Sequence, residues 1–121
     1  FRRMVFNVLA CNRDDHTRQH SYLMDKQGEW RLAPAYDLTY SAGPGGEHYL
    51  DIEGEGRTPT REHVQALGRR HGLSNRVIDS VVEEVRAAVA EWGRFASEAG
   101  VTSRSRGEVL AAHEAVAGHF A

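Results

Sequence analysis

The sequence predicts a mainly α-helical fold with one small β-hairpin. Apolar residues recur at helical spacing over residues 1–11 and again over most of residues 60–121. Between these regions, two short runs of aromatic and aliphatic residues flank Asp25-Lys26-Gln27-Gly28, which is typical of a hairpin turn. The chain has 121 residues, 40% of them hydrophobic and 26% charged, which suffices for one globular domain with a hydrophobic core.

The first part of the chain is predicted to form a helix, a polar loop and the hairpin. Residues 12–20 are too polar for a core element, so we expect a loop there. Residues 20–24 and 29–33 are the predicted strands, and Pro34 ends the second one because it cannot donate to a ladder. The apolar face of the first helix consists of Met4, Val5, Val8 and Leu9.

The segment after the hairpin is rich in glycine. Residues 41–46 read Ser-Ala-Gly-Pro-Gly-Gly and predict a flexible loop. A short strand is expected over residues 47–52, closed by the glycines of residues 54–56. Because this stretch follows the hairpin, it is either a mobile segment facing a substrate or an ordinary flexible loop.

Three helices are predicted after this segment. Thr60 can cap a helix that ends at Gly72, and Ser74 can cap a long helix that ends near Gly100. The apolar stripe of the long helix is Val77, Val81, Val85, Ala88, Trp92, Phe95 and Ala99. We expect this stripe to lie in the core, with its two aromatic residues anchoring helix packing.

The last helix is predicted from the capping-box pattern of Ser105 and Glu108. Its apolar residues are Val109, Ala112, Val116 and Phe120. We therefore expect one domain over residues 1–121, with a loop-and-hairpin part over residues 1–59 and a helical subdomain over residues 60–121.

Composition narrows the cellular setting and the partners. The formal net charge of −2 implies no strong bulk attraction to nucleic acid or to a membrane surface. Cys11 is the only cysteine, so no internal disulfide can form, which fits a reducing compartment. No signal peptide or membrane-spanning apolar run is evident. These features favour a cytoplasmic location.

The polar loop and the residues after the hairpin carry chemistry-bearing side chains. Gln19 comes five residues after Asp14, and Asp37 comes eighteen residues after Gln19. This spacing approaches that of a protein-kinase catalytic loop, in which Asp is followed five residues later by Asn and then by a metal-binding Asp. A carboxylate can orient an attacking hydroxyl, and hard oxygen ligands suit Mg²⁺. The hairpin would fold the chain back and bring Asp37 beside Asp14.

Two segments resemble the C-terminal domain of HipA-like kinases. Residues 14–21 read Asp-x-His-x-Arg-Gln-x-Ser, close to the family's Asp-x-His-x-Lys-Asn-x-Ser. Residues 34–38 read Pro-Ala-Tyr-Asp-Leu and resemble the family's metal-binding Pro-x-Tyr-Asp segment. The resemblance covers residues 1–60 and implies a protein-kinase-like C-lobe, mainly α, with a hairpin at the catalytic loop.

This resemblance implies a role for each matching residue. Asp14 corresponds to the catalytic base that accepts a proton from a substrate Ser or Thr. Asp37 corresponds to a magnesium ligand, and Gln19 takes the place of the Asn that binds a second metal. Arg18 replaces the usual Lys and could neutralise the transferred phosphate, while His16 would orient the loop.

The resemblance also implies ATP, Mg²⁺ and protein partners for the complete protein. Such kinases are toxins that phosphorylate a Ser or Thr of a protein and are neutralised by a small DNA-binding antitoxin, so contact with DNA would be indirect. Since the chain starts at Phe1 and carries no glycine-rich loop or strand lysine ahead of Asp14, we expect the nucleotide-binding lobe elsewhere and the chain alone to be inactive.

Gln19 leaves an alternative function open. It retains the amide carbonyl of Asn but adds one methylene, and Mg²⁺ tolerates little departure from octahedral geometry. The chain could instead belong to a pseudokinase or be a non-catalytic interaction module that binds an antitoxin or another protein.

Two other patterns have alternative readings. The spacing of His16 and His20, with Asp15 directly before His16, is a less favoured zinc-site hypothesis. Positive charge gathers around the predicted helix at residues 60–72, where it forms either a solvated basic face or a contact for a phosphorylated product, a protein or DNA. Its members are Arg57, Arg61, Arg69, Arg70 and Arg76.

Overall fold

Five α-helices and one two-stranded antiparallel hairpin make up the computed structural model, which describes all 121 residues. The elements are α1 (Arg2–Leu9), β1 (Tyr22–Met24), β2 (Trp30–Leu32), α2 (Arg61–Arg70), α3 (Asn75–Ala90), α4 (Trp92–Glu98) and α5 (Ser103–Ala117). The predicted mainly α fold with a small hairpin is confirmed. None of the helices combines the length and apolar composition that crossing a lipid bilayer requires.

The hydrophobic core lies where α1 packs on α3. Val5, Val8 and Leu9 of α1 are buried, as their helical spacing predicts. They pack with residues of α2, of α3, of the segment before α2 and of the 3-10 turn after α5: Ile52, Val64, Val81, Val82, Val85 and Phe120. Full burial of one such side chain contributes about 1.5–3 kcal/mol, so this cluster is the main stabilising element of the fold.

Four of the seven residues of the predicted apolar stripe are exposed, namely Val77, Ala88, Phe95 and Ala99. Val77 is 42% exposed and Phe95 is 48% exposed, whereas Ile78 and Val82 are fully buried. The buried face of α3 is wider than a single stripe because it contacts both α1 and α2. Ile78 packs beside Gly68 of α2.

The predicted long helix is interrupted at Glu91, which ends α3 and precedes α4. The amide of Glu91 donates to the carbonyl of Ala88, three residues back, so the last turn tightens before α4 begins. Trp92 holds this break against α5, since its Nε1 donates to the carbonyl of Arg106 at 3.1 Å. Trp92 thus has the predicted packing role, whereas Phe95 does not.

Helix α5 also begins earlier than the sequence predicts. Thr102 is the cap, and its Oγ1 accepts from the amide of Ser105 at 3.3 Å. Glu108 pairs with Arg104 and does not complete a capping box with Ser105. The predicted caps Thr60 and Ser74 do precede α2 and α3.

The hairpin pairs Tyr22 with Leu32 and Met24 with Trp30, which confirms the predicted turn. These four side chains share one face of the hairpin, and each is at least 46% exposed. Arg3 of α1 donates to the carbonyl of Ala33 and so attaches the end of the hairpin to the helix.

The strand predicted over residues 47–52 is absent. Only an isolated bridge between Ile52 and Glu55 forms there. Ile52 is buried in the core cluster and so anchors this segment to the helical body of the protein.

Gly68 offers a test of the α2–α3 contact. A Cβ at this position would lie 2.7 Å from Cδ1 of the buried Ile78. Overpacking of a core costs about 1–3 kcal/mol, whereas Gly→Ala in a helix gains about 1 kcal/mol. We therefore expect Gly68→Ala to lower the free energy of unfolding by about 1 kcal/mol in urea denaturation, since the steric term exceeds the helix term.

Gly107→Ala is the matched control for that substitution, because Gly107 lies in α5 with open space around its Cα. It should raise the free energy of unfolding by about 0.5–1 kcal/mol. Equal gains from both substitutions would show that α2 and α3 are not packed so closely.

Gly43 tests the packing of the glycine-rich loop on Arg13. Its φ of 71° and ψ of 163° are almost restricted to glycine, and an added Cβ would lie 2.3 Å from the carbonyl oxygen of Glu47. Gly45 has a similar φ of 65° but open space around it. By urea denaturation, Gly43→Ala should cost about 3 kcal/mol and Gly45→Ala about 1 kcal/mol. Equal costs would contradict the close packing.

Candidate functional site

The polar loop leaves α1 in a direction fixed by two buried asparagines. Asn12 Nδ2 donates to Asn7 Oδ1 at 3.1 Å, and the amide of Asn12 donates to the carbonyl of Asn7 at 2.8 Å. Cys11, which lies between the end of α1 and Asn12, has a positive φ of 53°. Sequence reasoning missed this pair, although a polar Asn7 among the apolar residues of α1 is a signal for it.

A parallel bridge joins the loop to the glycine-rich segment. The amide of Arg13 donates to the carbonyl of Ser41 at 3.2 Å, and the amide of Ser41 donates to the carbonyl of Cys11 at 3.0 Å. The bridge therefore places the residues after Asp37 directly beside the start of the loop.

The two adjacent carboxylates of the loop have opposite environments. The side chain of Asp14 is 46% exposed, whereas that of Asp15 is 5% exposed. Asp15 Oδ1 accepts from the amide of Tyr49 at 2.8 Å, and its Oδ2 contacts His48 Nδ1 at 2.9 Å. Asp14 is thus the carboxylate that a substrate can reach.

Asp37 lies next to Gln19, as the hairpin between them predicts. The Gln19 Nε2 amide donates to Asp37 Oδ2. The hydroxyl of Tyr36 donates to the carbonyl of Arg18 at 2.8 Å, which adds a second connection between the two motif segments. Asp37 adopts a positive φ of 52°, an uncommon conformation for a residue other than glycine.

His16 links Asp14 to the pair formed by Gln19 and Asp37. Its Nε2 lies 3.6 Å from Asp14 Oδ1 and 3.5 Å from Gln19 Nε2. Nε2 can accept from Gln19 when it lacks a proton, or face Asp14 as a donor when it carries one. The structure therefore brings Asp14, His16, Gln19 and Asp37 together, with the exposed Arg18 beside them.

The donor set at Asp37 and Gln19 fits Mg²⁺ better than zinc. Mg²⁺ commonly uses one or two carboxylates and completes its shell with water and substrate phosphates. If a cation lay between these two side chains, the carbonyl oxygen of Gln19 would have to face it. The terminal amide of Gln19 would therefore be rotated by about 180° from its present orientation, in which Nε2 faces Asp37. No group of three His, Cys, Asp or Glu side chains is arranged to hold a metal ion. Asp15 is instead engaged by His48, away from the hypothetical zinc pair.

Three of the five arginines near α2 are neutralised by carboxylates. Arg61 contacts both Asp79, at 3.1 Å, and Glu83, at 2.8 Å. These hydrogen bonds to Arg61 lower the pKa of both carboxyls below their ordinary values. The other pairs are Arg57 with Glu47 and Arg70 with Glu53. The basic surface is therefore weaker than the arginine count suggests.

The comparison with known protein families matches the HipA-like C-terminal domain over residues 1–92. No curated protein matches the sequence. The matched region includes the polar loop, the hairpin and Asp37, and it ends at Trp92, where α4 begins. Since the match covers more than half of the chain, the protein belongs to the family of HipA-like C-terminal domains.

Proposed function

We propose that this chain supplies the catalytic-loop and metal-binding half of an ATP- and Mg²⁺-dependent serine/threonine protein kinase of the HipA type. The observation that carries the proposal is the series of contacts that joins Asp14 to His16, His16 to Gln19, and Gln19 to Asp37. These side chains come from two segments that a hairpin separates, and the family match covers both segments.

In this proposal Asp14 orients the attacking hydroxyl of a substrate Ser or Thr. Its exposure allows contact with a bound substrate, whereas Asp15 is closed off by its hydrogen bonds. A carboxylate at this position accepts the hydroxyl proton as the phosphoryl group is transferred. His16 Nε2 lies 3.6 Å from Asp14 Oδ1, which is within ion-pair range but beyond hydrogen-bond length.

Asp37 and Gln19 would hold Mg²⁺ against the phosphates of ATP. The ion, when bound, neutralises charge that develops on the transferred phosphoryl group. The exposed guanidinium of Arg18 follows His16 by two residues and can contribute further positive charge. Lys26 lies in the hairpin turn and is not placed to take part.

The partners of the complete protein follow from the same proposal. We expect a protein substrate with an accessible Ser or Thr, and an antitoxin protein. The antitoxin would bind DNA, so the kinase itself would contact DNA only indirectly. The nucleotide-binding lobe would come from another part of the protein.

A non-catalytic role is the second candidate. The Gln19 amide donates to Asp37 Oδ2, so it gives this carboxylate a partner without a cation, which favours a pseudokinase. The exposed apolar face of the hairpin, formed by Tyr22, Met24, Trp30 and Leu32, suits contact with another protein surface.

Replacement of Asp14 tests the proposed base. In the full-length protein, Asp14→Asn should lower kcat/KM for phosphoryl transfer from ATP by about 10²–10⁴-fold, because the amide cannot accept the hydroxyl proton. Glu29→Gln, which removes an exposed carboxylate in the hairpin turn, is the control and should leave the rate unchanged. Equal rates for wild type and Asp14→Asn would contradict the assignment.

Gln19→Asn separates a kinase from a pseudokinase. If the site is catalytic, the wild-type full-length protein transfers phosphate and Gln19→Asn retains that activity. Wild-type protein without turnover, together with restored turnover in Gln19→Asn, would support the pseudokinase and rule out catalysis by the natural protein.

The isolated chain of 121 residues should not transfer phosphate from radiolabelled ATP to a protein substrate. Kinases bind the phosphates of ATP with a glycine-rich loop and a strand lysine ahead of the catalytic loop, and residues 1–13 contain neither. Robust activity of the isolated chain would contradict the proposal that the nucleotide-binding lobe comes from another part of the protein.

A further inference from the structure

We propose that the buried pair of Asp15 and His48 is a positioning device for the catalytic loop. Its part in catalysis rests on the proposed kinase function, whereas its effect on loop geometry does not. The pair joins the loop to residues 47–50, which follow Asp37 in the chain, and thereby sets the orientation of His16 and Asp14.

Burial and hydrogen bonding distinguish this pair from the other ionic contacts. The side chain of His48 is 3% exposed and that of Asp15 is 5% exposed. Burial of a carboxylate is costly unless donors surround it. Asp15 has three such donors, namely His48 Nδ1 at 2.9 Å and the amides of Tyr49 and Leu50 at 2.8 and 3.3 Å.

Residues 47–50 are themselves held to the body of the protein. The amide of His48 donates to the carbonyl of Gly56 at 2.8 Å, and Ile52 lies in the core cluster. The amide of Tyr49 also lies 3.3 Å from the carbonyl of Arg13. The segment is therefore a fixed support for the loop.

Tyr49, which lies in this supporting segment, contacts His16 of the loop. Their rings meet edge to face, with centroids 5.6 Å apart and an interplanar angle of 88°. His16 Nε2 then faces Asp14 and Gln19. A continuous series of contacts thus runs from Asp15, through the segment that it fixes, to the residues proposed to act on substrate and metal.

The same arrangement gives Asp14 and Asp15 different roles, since only Asp14 faces the proposed substrate. Asp15 is directed into the protein, where its charge is offset by N–H donors. If it turned outward, a second negative charge would lie beside Asp14 and the phosphates of ATP. Such like charges repel each other more strongly where protein replaces water around them.

Four variants test this inference. Asp15→Ala and His48→Phe each remove one side of the pair. Asp15→Asn is the conservative variant, since Oδ1 still accepts from Tyr49 and the new amide can donate to the other tautomer of His48. His113→Phe is the matched control: His113 is as buried as His48, and its Nε2 contacts the carbonyl of Ala10 at 3.2 Å, at the end of α1 and outside residues 12–20.

The first measurement is NMR of the 121-residue chain, which needs no activity. In Asp15→Ala and His48→Phe, the Gln19 side-chain amide and the His16 ring resonances should shift, while the amides of α2 to α5 stay in place. His113→Phe should give the reverse pattern, and Asp15→Asn should resemble wild type. Unshifted His16 and Gln19 signals in Asp15→Ala would overturn the proposal.

Folding is checked by circular dichroism. If Asp15→Ala does not fold, His48→Phe decides the question. Collapse of both variants would mean that the pair supports the whole fold instead of the loop, which also overturns the inference.

The second measurement is phosphoryl transfer by the full-length protein. Asp15→Ala should lower kcat about 10–100-fold with little change in KM for ATP, because misplacement of a catalytic group costs rate more than binding. Asp15→Asn should restore most of kcat. A purely structural role would lower the active fraction without changing the NMR signals of the folded loop. If wild type transfers no phosphate, the proposed function fails, yet the NMR result still decides the positioning role.

Discussion

The burial of the Asp15 carboxylate is the interaction on which the candidate site depends. A charged oxygen pair removed from water must find donors, and here the donors come from His48 and the backbone of the same segment. One side chain therefore ties two segments that lie more than thirty residues apart. Because Asp15 points inward, its neighbour Asp14 remains outward and accessible.

The helical body serves as the frame for this connection. Helix α1 packs on α3 and delivers the loop from a fixed end, where Asn7 and Asn12 set the direction of the chain. The hairpin returns the chain so that Asp37 meets Gln19, and Ile52 anchors the following segment in the core. The two sides of the site are thus held from the same hydrophobic cluster.

Local patterns in the sequence predicted the parts of the fold that local forces determine. The hairpin turn, the face of α1 and the caps Thr60 and Ser74 all follow from spacing and residue type. The break at Glu91 was missed because α3 and α4 share nearly continuous helical spacing, and the anchoring bond from Trp92 to Arg106 is a tertiary contact.

The residues of the candidate site could also be predicted from the sequence, but the contact that holds the loop in place could not. The spacing of Asp14, Gln19 and Asp37 indicated which side chains would meet, since a hairpin reverses the chain between them. The strand expected over residues 47–52 does not form because Asp15 takes the amides of Tyr49 and Leu50. That competition depends on long-range burial of a carboxylate, which no local pattern encodes.

The most direct measurement is a crystal structure of the full-length protein with Mg²⁺ and a non-hydrolysable ATP analogue. The account predicts Mg²⁺ bound by Asp37, with the Gln19 amide turned so that its oxygen faces the ion and Asp14 left open to a substrate hydroxyl. A structure in which Gln19 still donates to Asp37 and no cation lies between the nucleotide and these residues would contradict it.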